Sequence, residues 1–300
     1  MNFSRNLIST SGSGRPDVGS RLWRFPTREA TLAISDHRVL FRNAIINLRL
    51  GVSARSHLFI VGMSRSGTSL LATRVAAHPL IATLKGETFF FLKRNFSRLD
   101  VSHVNVPEYR SLFLNSVSQT ELFDKLADTA ISMKFGAKTF LEKTPDHVFA
   151  LRSLLKAYPN ARFAVCIRDP RDAYVSWQRH PHLRKVKPVQ FGRYCARFFR
   201  AFANIRSERI IIVRYEDLCN NPIRELTRVA EFFSLSELRP DFDYSEVGSD
   251  WAYLESGGHD RIKASINPMT VGVWRTELPK KAALEIRRIV GQAIAEWNYD

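Results

Sequence analysis

The segment Gly62-Met63-Ser64-Arg65-Ser66-Gly67-Thr68-Ser69 is the part of this chain best suited to chemistry on an anion. It follows an apolar β-type run, Leu58-Phe59-Ile60-Val61, and precedes a stretch from Ser69 to Ala77 that reads as a helix. Backbone N–H groups at such a helix start, with the positive end of its dipole, can hold a phosphate or sulfate. Glycines at both ends let the backbone curl around the anion with no side chain in the way. The hydroxyls of Ser66, Thr68 and Ser69 add donors, and Arg65 adds a cation inside the turn.

The glycine spacing equals that of a nucleoside-triphosphate P-loop, yet Thr68 stands where that loop carries its lysine. This argues against ATP or GTP chemistry. A second strand-like run, Arg162 to Ile167, ends in Arg168-Asp169-Pro170 and leads into a helical stretch from Asp172. Asp169 and Asp172 imitate a Mg²⁺ carboxylate pair, but without the lysine a kinase reading has little left. No His, Cys, Asp or Glu cluster has metal-ligand spacing, so no metal is expected. Cys166, Cys195 and Cys219, odd in number and without a Cys-x-x-Cys, read as reduced, buried thiols.

The elements that must position these groups alternate between strand and helix. Arg209 to Val213 is a third apolar strand, and helical patterns lie around 119–134, 146–157, 189–206, 222–233 and 280–297. This predicts an α/β fold, a parallel sheet covered by helices. Residues 1–25, rich in Ser, Gly and Arg, read as a flexible basic tail. Residues 26–54 read as an amphipathic helical segment: from Glu29 to Leu50, Leu32, Val39, Leu40, Phe41, Ile45, Ile46 and Leu48 sit among arginines. Peripheral membrane contact and packing on the domain are both open to it, and packing is favoured. Residues 55–300 form the main domain, with no internal repeat.

The formal charge of +16 suits anionic cofactors or acidic acceptors. The basic residues are spread along the chain rather than gathered with aromatics, so no nucleic acid is expected. With no apolar run long enough to cross a bilayer and no secretory leader pattern, a cytoplasmic location is expected.

The turn, in the run Phe59-Ile60-Val61-Gly62-Met63-Ser64-Arg65-Ser66-Gly67-Thr68-Ser69-Leu70-Leu71, resembles the 5'-phosphosulfate loop of the sulfotransferases that use 3'-phosphoadenosine-5'-phosphosulfate (PAPS), with Ser64 where that family usually has proline. Arg168-Asp169-Pro170-Arg171-Asp172-Ala173-Tyr174-Val175-Ser176-Trp177 resembles the family's 3'-phosphate segment, which implies that Arg168 and Ser176 grip that phosphate. Val213-Arg214-Tyr215-Glu216-Asp217-Leu218 is similar to the segment whose tyrosine lies near the adenine. Gly272-Val273-Trp274-Arg275 resembles the late loop that closes over the cofactor. The Arg-Lys-Gly triplet of the small-molecule branch is absent, which leaves Arg261, Lys263 or Arg275 to supply its charge.

The resemblance implies a P-loop NTPase-like sulfotransferase fold, PAPS as sulfuryl donor, no metal, and an acceptor hydroxyl or amine. The motif pattern is nearest to the tyrosylprotein and bacterial carbohydrate branches. Sulfuryl transfer needs a base and a cation for the leaving group. Gly86-Glu87 resembles the segment that carries the base in those branches, which makes Glu87 the first candidate. Glu142-Lys143-Thr144-Pro145 is similar to an element near the transfer site, so Lys143 would neutralise the departing oxygen, helped by Arg65. Glu142 is the competing base or a structural partner of Lys143. His78 and His103 stand in no matching motif and rank below Glu87. The acceptor, expected to be a carbohydrate, a peptide or a small alcohol, has no readable motif; its recognition is assigned to 88–135, 178–200 and 240–270. Oligomeric state is equally unreadable.

Overall fold

Leu58–Gly62 forms a strand, β1, that is apolar on both faces, as expected of the centre of a parallel sheet rather than its edge. In the computed structural model, which describes residues 37–84, 86–97, 106–180, 183–240 and 265–299, it sits between two neighbours. The other strands are β2 (Ile81–Thr83), β3 (Thr139–Lys143), β4 (Arg162–Ile167) and β5 (Ile210–Arg214), in the order β2-β3-β1-β4-β5. All pairings are parallel. The chain runs from β1 to one edge and later crosses to the other, so the C-terminal ends of β1, β3 and β4 flank the kind of crevice in which open α/β sheets bind ligands.

The connecting helices are α1 (His37–Leu48), α2 (Thr68–Ala76), α3 (Val106–Leu114), α4 (Gln119–Met133), α5 (Leu151–Ala157) and α6 (Pro170–Gln178). They continue as α7 (Pro188–Phe202), α8 (Tyr215–Asn220), α9 (Pro222–Phe233), α10 (Trp274–Glu277), α11 (Lys280–Val290) and α12 (Gln292–Glu296). The strand pleat sorts the core into two layers. Phe59, Val61, Phe140, Phe163 and Val165 face an aromatic layer with Phe90, Phe123 and Tyr158. Phe59 stacks on Phe163 with ring centroids 4.8 Å apart. Leu58, Ile60, Leu141 and Ala164 face Leu71 and Val75 of α2 and Leu226, Val229 and Phe233 of α9.

Three expectations change. The helical pattern over 280–297 breaks at Gly291, whose φ of 63° ends α11 and starts α12 in a new direction. The pattern over 146–157 begins as a 3₁₀ segment, Pro145–Ala150, with proline at its first position, and becomes α-helical from Leu151. β2 and β3 were not anticipated as strands. α1 packs on the domain through buried Val39 and Ile46, and Arg42 Nη1 donates to the Ser116 carbonyl at 3.0 Å. Cys166, Cys195 and Cys219 are buried free thiols. No helix among the described residues is long and apolar enough to cross a membrane. Residues 1–36, His103, Arg261 and Lys263 lie outside the described residues.

Candidate active site

β1 stops at Gly62 because the chain there runs against β4: a Cβ on Gly62 would lie 2.3 Å from the Cys166 carbonyl oxygen. The turn beyond it is tied to the sheet. Met63 N–H donates to the Cys166 carbonyl at 3.1 Å, and Ser66 N–H donates to the Met63 carbonyl at 3.1 Å. The Ser66 hydroxyl lies 2.6 Å from the Met63 carbonyl and 3.0 Å from that of Cys166. Its single proton therefore locks the turn, whereas the sequence expectation had it facing an anion. Ser64 N–H donates to the Tyr194 hydroxyl at 2.8 Å. Arg65 adopts a left-handed φ of 68°, a strained position for a residue with a Cβ. Gly67, at φ 86°, opens α2; a Cβ there would come within 2.6 Å of the Tyr215 ring. Thr68 is buried at the start of α2.

Arg168 directly follows the neighbouring strand, β4, and is buried. Its Nη1 donates to the Arg65 carbonyl at 3.3 Å and its Nη2 to the Thr270 carbonyl at 2.6 Å. The guanidinium lies 4.1 Å from the Tyr215 ring centroid, and its buried Nε–H has no hydrogen-bond partner. Ser176 in α6 accepts from Arg65 Nε at 3.1 Å. The Tyr215 hydroxyl meets that of Thr270 at 2.6 Å. Burial first, and the nearby Arg168 second, push the Arg65 guanidinium down to about 10, opposed in part by Glu87. Two charged guanidiniums packed this closely, with one buried N–H left over, suit a ligand carrying more than one negative charge.

On the other side of the turn, Lys143 at the end of β3 donates to Ser69 Oγ at 3.2 Å and to Glu87 Oε1 at 2.9 Å. Lys143 is 1% exposed at its side chain and Glu87 21%. The pleat sends Glu142, one residue earlier, to the opposite face. There it accepts from the Thr88 hydroxyl at 2.9 Å and the Thr144 hydroxyl at 2.6 Å. His147 Nε2 accepts from Phe91 N–H at 3.2 Å, which leaves the imidazole proton on Nδ1, 3.4 Å from Glu142 Oε1. Burial pushes the Glu142 carboxyl up to about 7, against its threonine hydrogen bonds, and pushes His147 down to about 3. The structure thus joins Glu87, Lys143 and Ser69 and leaves Glu142 in a buried network of its own.

The Asp169 and Asp172 carboxylates are both occupied by the chain. Asp169 caps α6 by accepting from Arg171 N–H at 2.8 Å and forms an ion pair with the Arg171 guanidinium at 2.8 Å. Asp172 accepts from Gly272 N–H at 2.6 Å and Trp274 N–H at 2.9 Å, which fastens the late loop over α6. Arg275 is exposed, with its guanidinium 4.8 Å from the Trp274 ring centroid. His78 sits at the far end of α2, paired with the Ser236 hydroxyl at 2.7 Å. Tyr194, Asp146 and Thr270 support the site unannounced by the sequence. Asp146 directly follows Glu-Lys-Thr-Pro and Thr270 lies two residues before Gly272-Val273-Trp274-Arg275, whereas Tyr194 stood in no motif.

The comparisons with known proteins point to one family. The chain is 26% identical over 278 residues to nodulation protein NoeE of Sinorhizobium fredii, a match covering 81% of this chain and 65% of that protein. It is 25% identical over 237 residues to a Caenorhabditis briggsae protein assigned as a protein-tyrosine sulfotransferase, covering 72% of this chain and 80% of that protein. In fold it is similar to the sulfotransferase domain from the curacin biosynthetic pathway, with a TM-score of 0.55 at 16% identity over 84% of this chain and 99% of that domain. The family model described as the sulfotransferase family matches residues 57–240, more than half of the sequence, and the chain belongs to that family.

Proposed function

We propose that this chain transfers a sulfuryl group from PAPS to a hydroxyl of a carbohydrate, peptide or small alcohol, with Glu87 as general base. Lys143, bridging Ser69 of the turn and Glu87, is the observation that carries this reading, since it sets a cation beside the proposed anion site and a carboxylate beside that cation. Bound PAPS supplies the sulfuryl group, whose in-line transfer to the acceptor oxygen releases adenosine 3',5'-bisphosphate. Ser64, Arg65, Ser66, Gly67, Thr68 and Ser69 form the cradle for its 5' end. Arg168 and Ser176 hold the 3'-phosphate, Tyr215 lies at the adenine, and Arg275 stands in the loop that closes the site.

Within that frame Glu87 accepts the acceptor's proton, and it is the more exposed of the two candidate carboxylates. Lys143 and Arg65 offset negative charge on the bridging oxygen. Glu142, whose pKa alone would suit a base, lies 1% exposed beneath Thr88 and Thr144 and has no route to an acceptor. Access decides ahead of pKa.

The test is a thermal shift with adenosine 3',5'-bisphosphate on wild type and Arg168→Ala. Wild type should melt higher with the ligand and the variant should not respond, because only a ligand bound to the folded state raises the melting temperature. A wild-type response to Mg-ATP with none to the bisphosphate would replace this reading with phosphotransfer. A positive result leads to an acceptor screen with labelled PAPS.

A further inference from the structure

Ser64, Tyr194 and Asp146 form a directed chain of hydrogen bonds that the proposed chemistry does not use. Ser64 N–H donates to the Tyr194 hydroxyl at 2.8 Å, and that hydroxyl donates to Asp146 Oδ1 at 3.0 Å. A phenol that accepts from an amide must send its own proton elsewhere, and the carboxylate fixes where. Asp146 is 7% exposed. Burial raises its carboxyl to about 6, opposed by the Tyr194 hydrogen bond, raised further by Glu87 and lowered by Arg197, and its Oδ1 accepts the phenol proton. The Tyr194 ring is wedged between Trp177 at 5.6 Å and Phe149 and Phe191 at 6.2 Å, which leaves the oxygen little freedom.

The amide so held belongs to the residue before Arg65, whose left-handed φ of 68° is the strained point of the turn. Strain of this kind persists only where the surroundings over-determine it. The Ser66 hydroxyl pins the turn on its far side, and Tyr194 pins it on the near side. We propose that Tyr194, oriented by Asp146, is a positioning residue that holds the Ser64–Arg65 backbone in its anion-receiving conformation before any ligand arrives. The inference rests on the donor-site reading above. It assigns Tyr194 to donor affinity, through the order of the empty turn, and not to the transfer step.

Tyr194→Phe keeps the ring packing and removes only the oxygen, leaving Ser64 N–H and Asp146 without their partner. Hydrogen exchange of the 63–67 amides in the ligand-free chain should then quicken about tenfold or more, while core-strand amides keep wild-type protection. By calorimetry the variant should bind adenosine 3',5'-bisphosphate about tenfold more weakly, with kcat at saturating PAPS within about twofold of wild type. Asp146→Asn, which retains an oxygen acceptor for the phenol, should fall between wild type and Tyr194→Phe, and Asp146→Leu should match Tyr194→Phe. Unchanged exchange in Tyr194→Phe would overturn the proposal, as would a kcat loss with unaltered bisphosphate affinity. The exchange measurement needs no ligand, so a wild-type chain that fails to bind the bisphosphate sinks the donor-site reading while the exchange arm still decides this one.

Discussion

Glu87 and Glu142 show how two carboxylates in similar motifs can meet quite different neighbours. Both stand in segments that resemble catalytic elements, yet one is ion-paired at the turn and the other is sealed beneath two threonine hydroxyls. Glu87→Gln should lower kcat about 10²–10⁴-fold while keeping the thermal shift with adenosine 3',5'-bisphosphate. Glu142→Gln should read out in stability instead. Its carboxyl moves from 4.5 to about 7 on folding, so between those values the native state holds a proton that the unfolded state has lost, and wild type loses stability as pH rises through that window. His147, lowered from 6.5 to about 3, acts in the opposite sense over about pH 3 to 6.5 and masks the effect in wild type. Relative to wild type, Glu142→Gln should gain stability between pH 5 and 7.5 by at most about 3 kcal/mol, measured by urea unfolding at both values. An equal difference at the two pH values would refute the burial account. The sequence ranked Glu87 ahead of Glu142, but the pairing was not legible in it, and Glu142 and Lys143 read as possible partners. The real partner of Lys143 is Glu87, 56 residues away, and only the fold brings them together.

At the scale of elements, the sequence disclosed what is apolar and repetitive and hid what is short or ends in charge. β1, β4 and β5 announce themselves as buried runs. β2 has only three residues, and β3 finishes in Glu142-Lys143, so neither makes an apolar run long enough to read as a strand although both pair in register. The charged end of β3 brings Lys143 to the C-terminal end of the strand beside the turn, where it meets Ser69 and Glu87. The Arg171–Asp169 and Asp172 contacts likewise belong to α6 as an element: they fix its start and tether the late loop. Gly67 couples two further elements, because the Tyr215 ring of α8 can lie flush against the start of α2 only where residue 67 has no Cβ. Gly67→Ala combines a φ of 86° with a contact of 2.6 Å, so the Tyr215 ring must shift and take its Thr270 bond and Arg168 stacking with it. The strain should cost about 1–3 kcal/mol and lower the ligand-free melting temperature by several degrees. Bisphosphate binding should weaken about tenfold or more in calorimetry. Wild-type affinity in Gly67→Ala would show that Tyr215 does not need its present seat.

For the whole molecule the question is whether the charge of +16 binds anions anywhere or only at one place. Cations crowd both edges of the sheet. Arg65, Lys143 and Arg168 gather at the C-terminal ends of the strands, and Arg152, Lys156, Arg206 and Arg209 line a cleft near the start of β5, at the N-terminal edge. Arg209 there donates to the Tyr158 and Leu155 carbonyls and Arg206 to those of Ala203 and Ile205, so much of that charge serves helix ends. A strand like β4 separates the edges by about 20 Å, while the Debye length is about 8 Å at 0.15 M salt and about 30 Å at 0.01 M. The far cleft should therefore be felt at the proposed donor site only in dilute buffer. An Arg152→Glu, Lys156→Glu double variant should bind adenosine 3',5'-bisphosphate within about twofold of wild type at 0.15 M salt and measurably more weakly at 0.01 M, whereas Arg168→Ala should lose affinity at both. If the double variant weakened binding at 0.15 M as much as Arg168→Ala does, the bisphosphate would be responding to the chain as a polycation and the built site would have no special claim on it. Retention at 0.15 M alongside the Arg168 loss ties the anion to the strand ends, where Lys143 bridges Ser69 and Glu87.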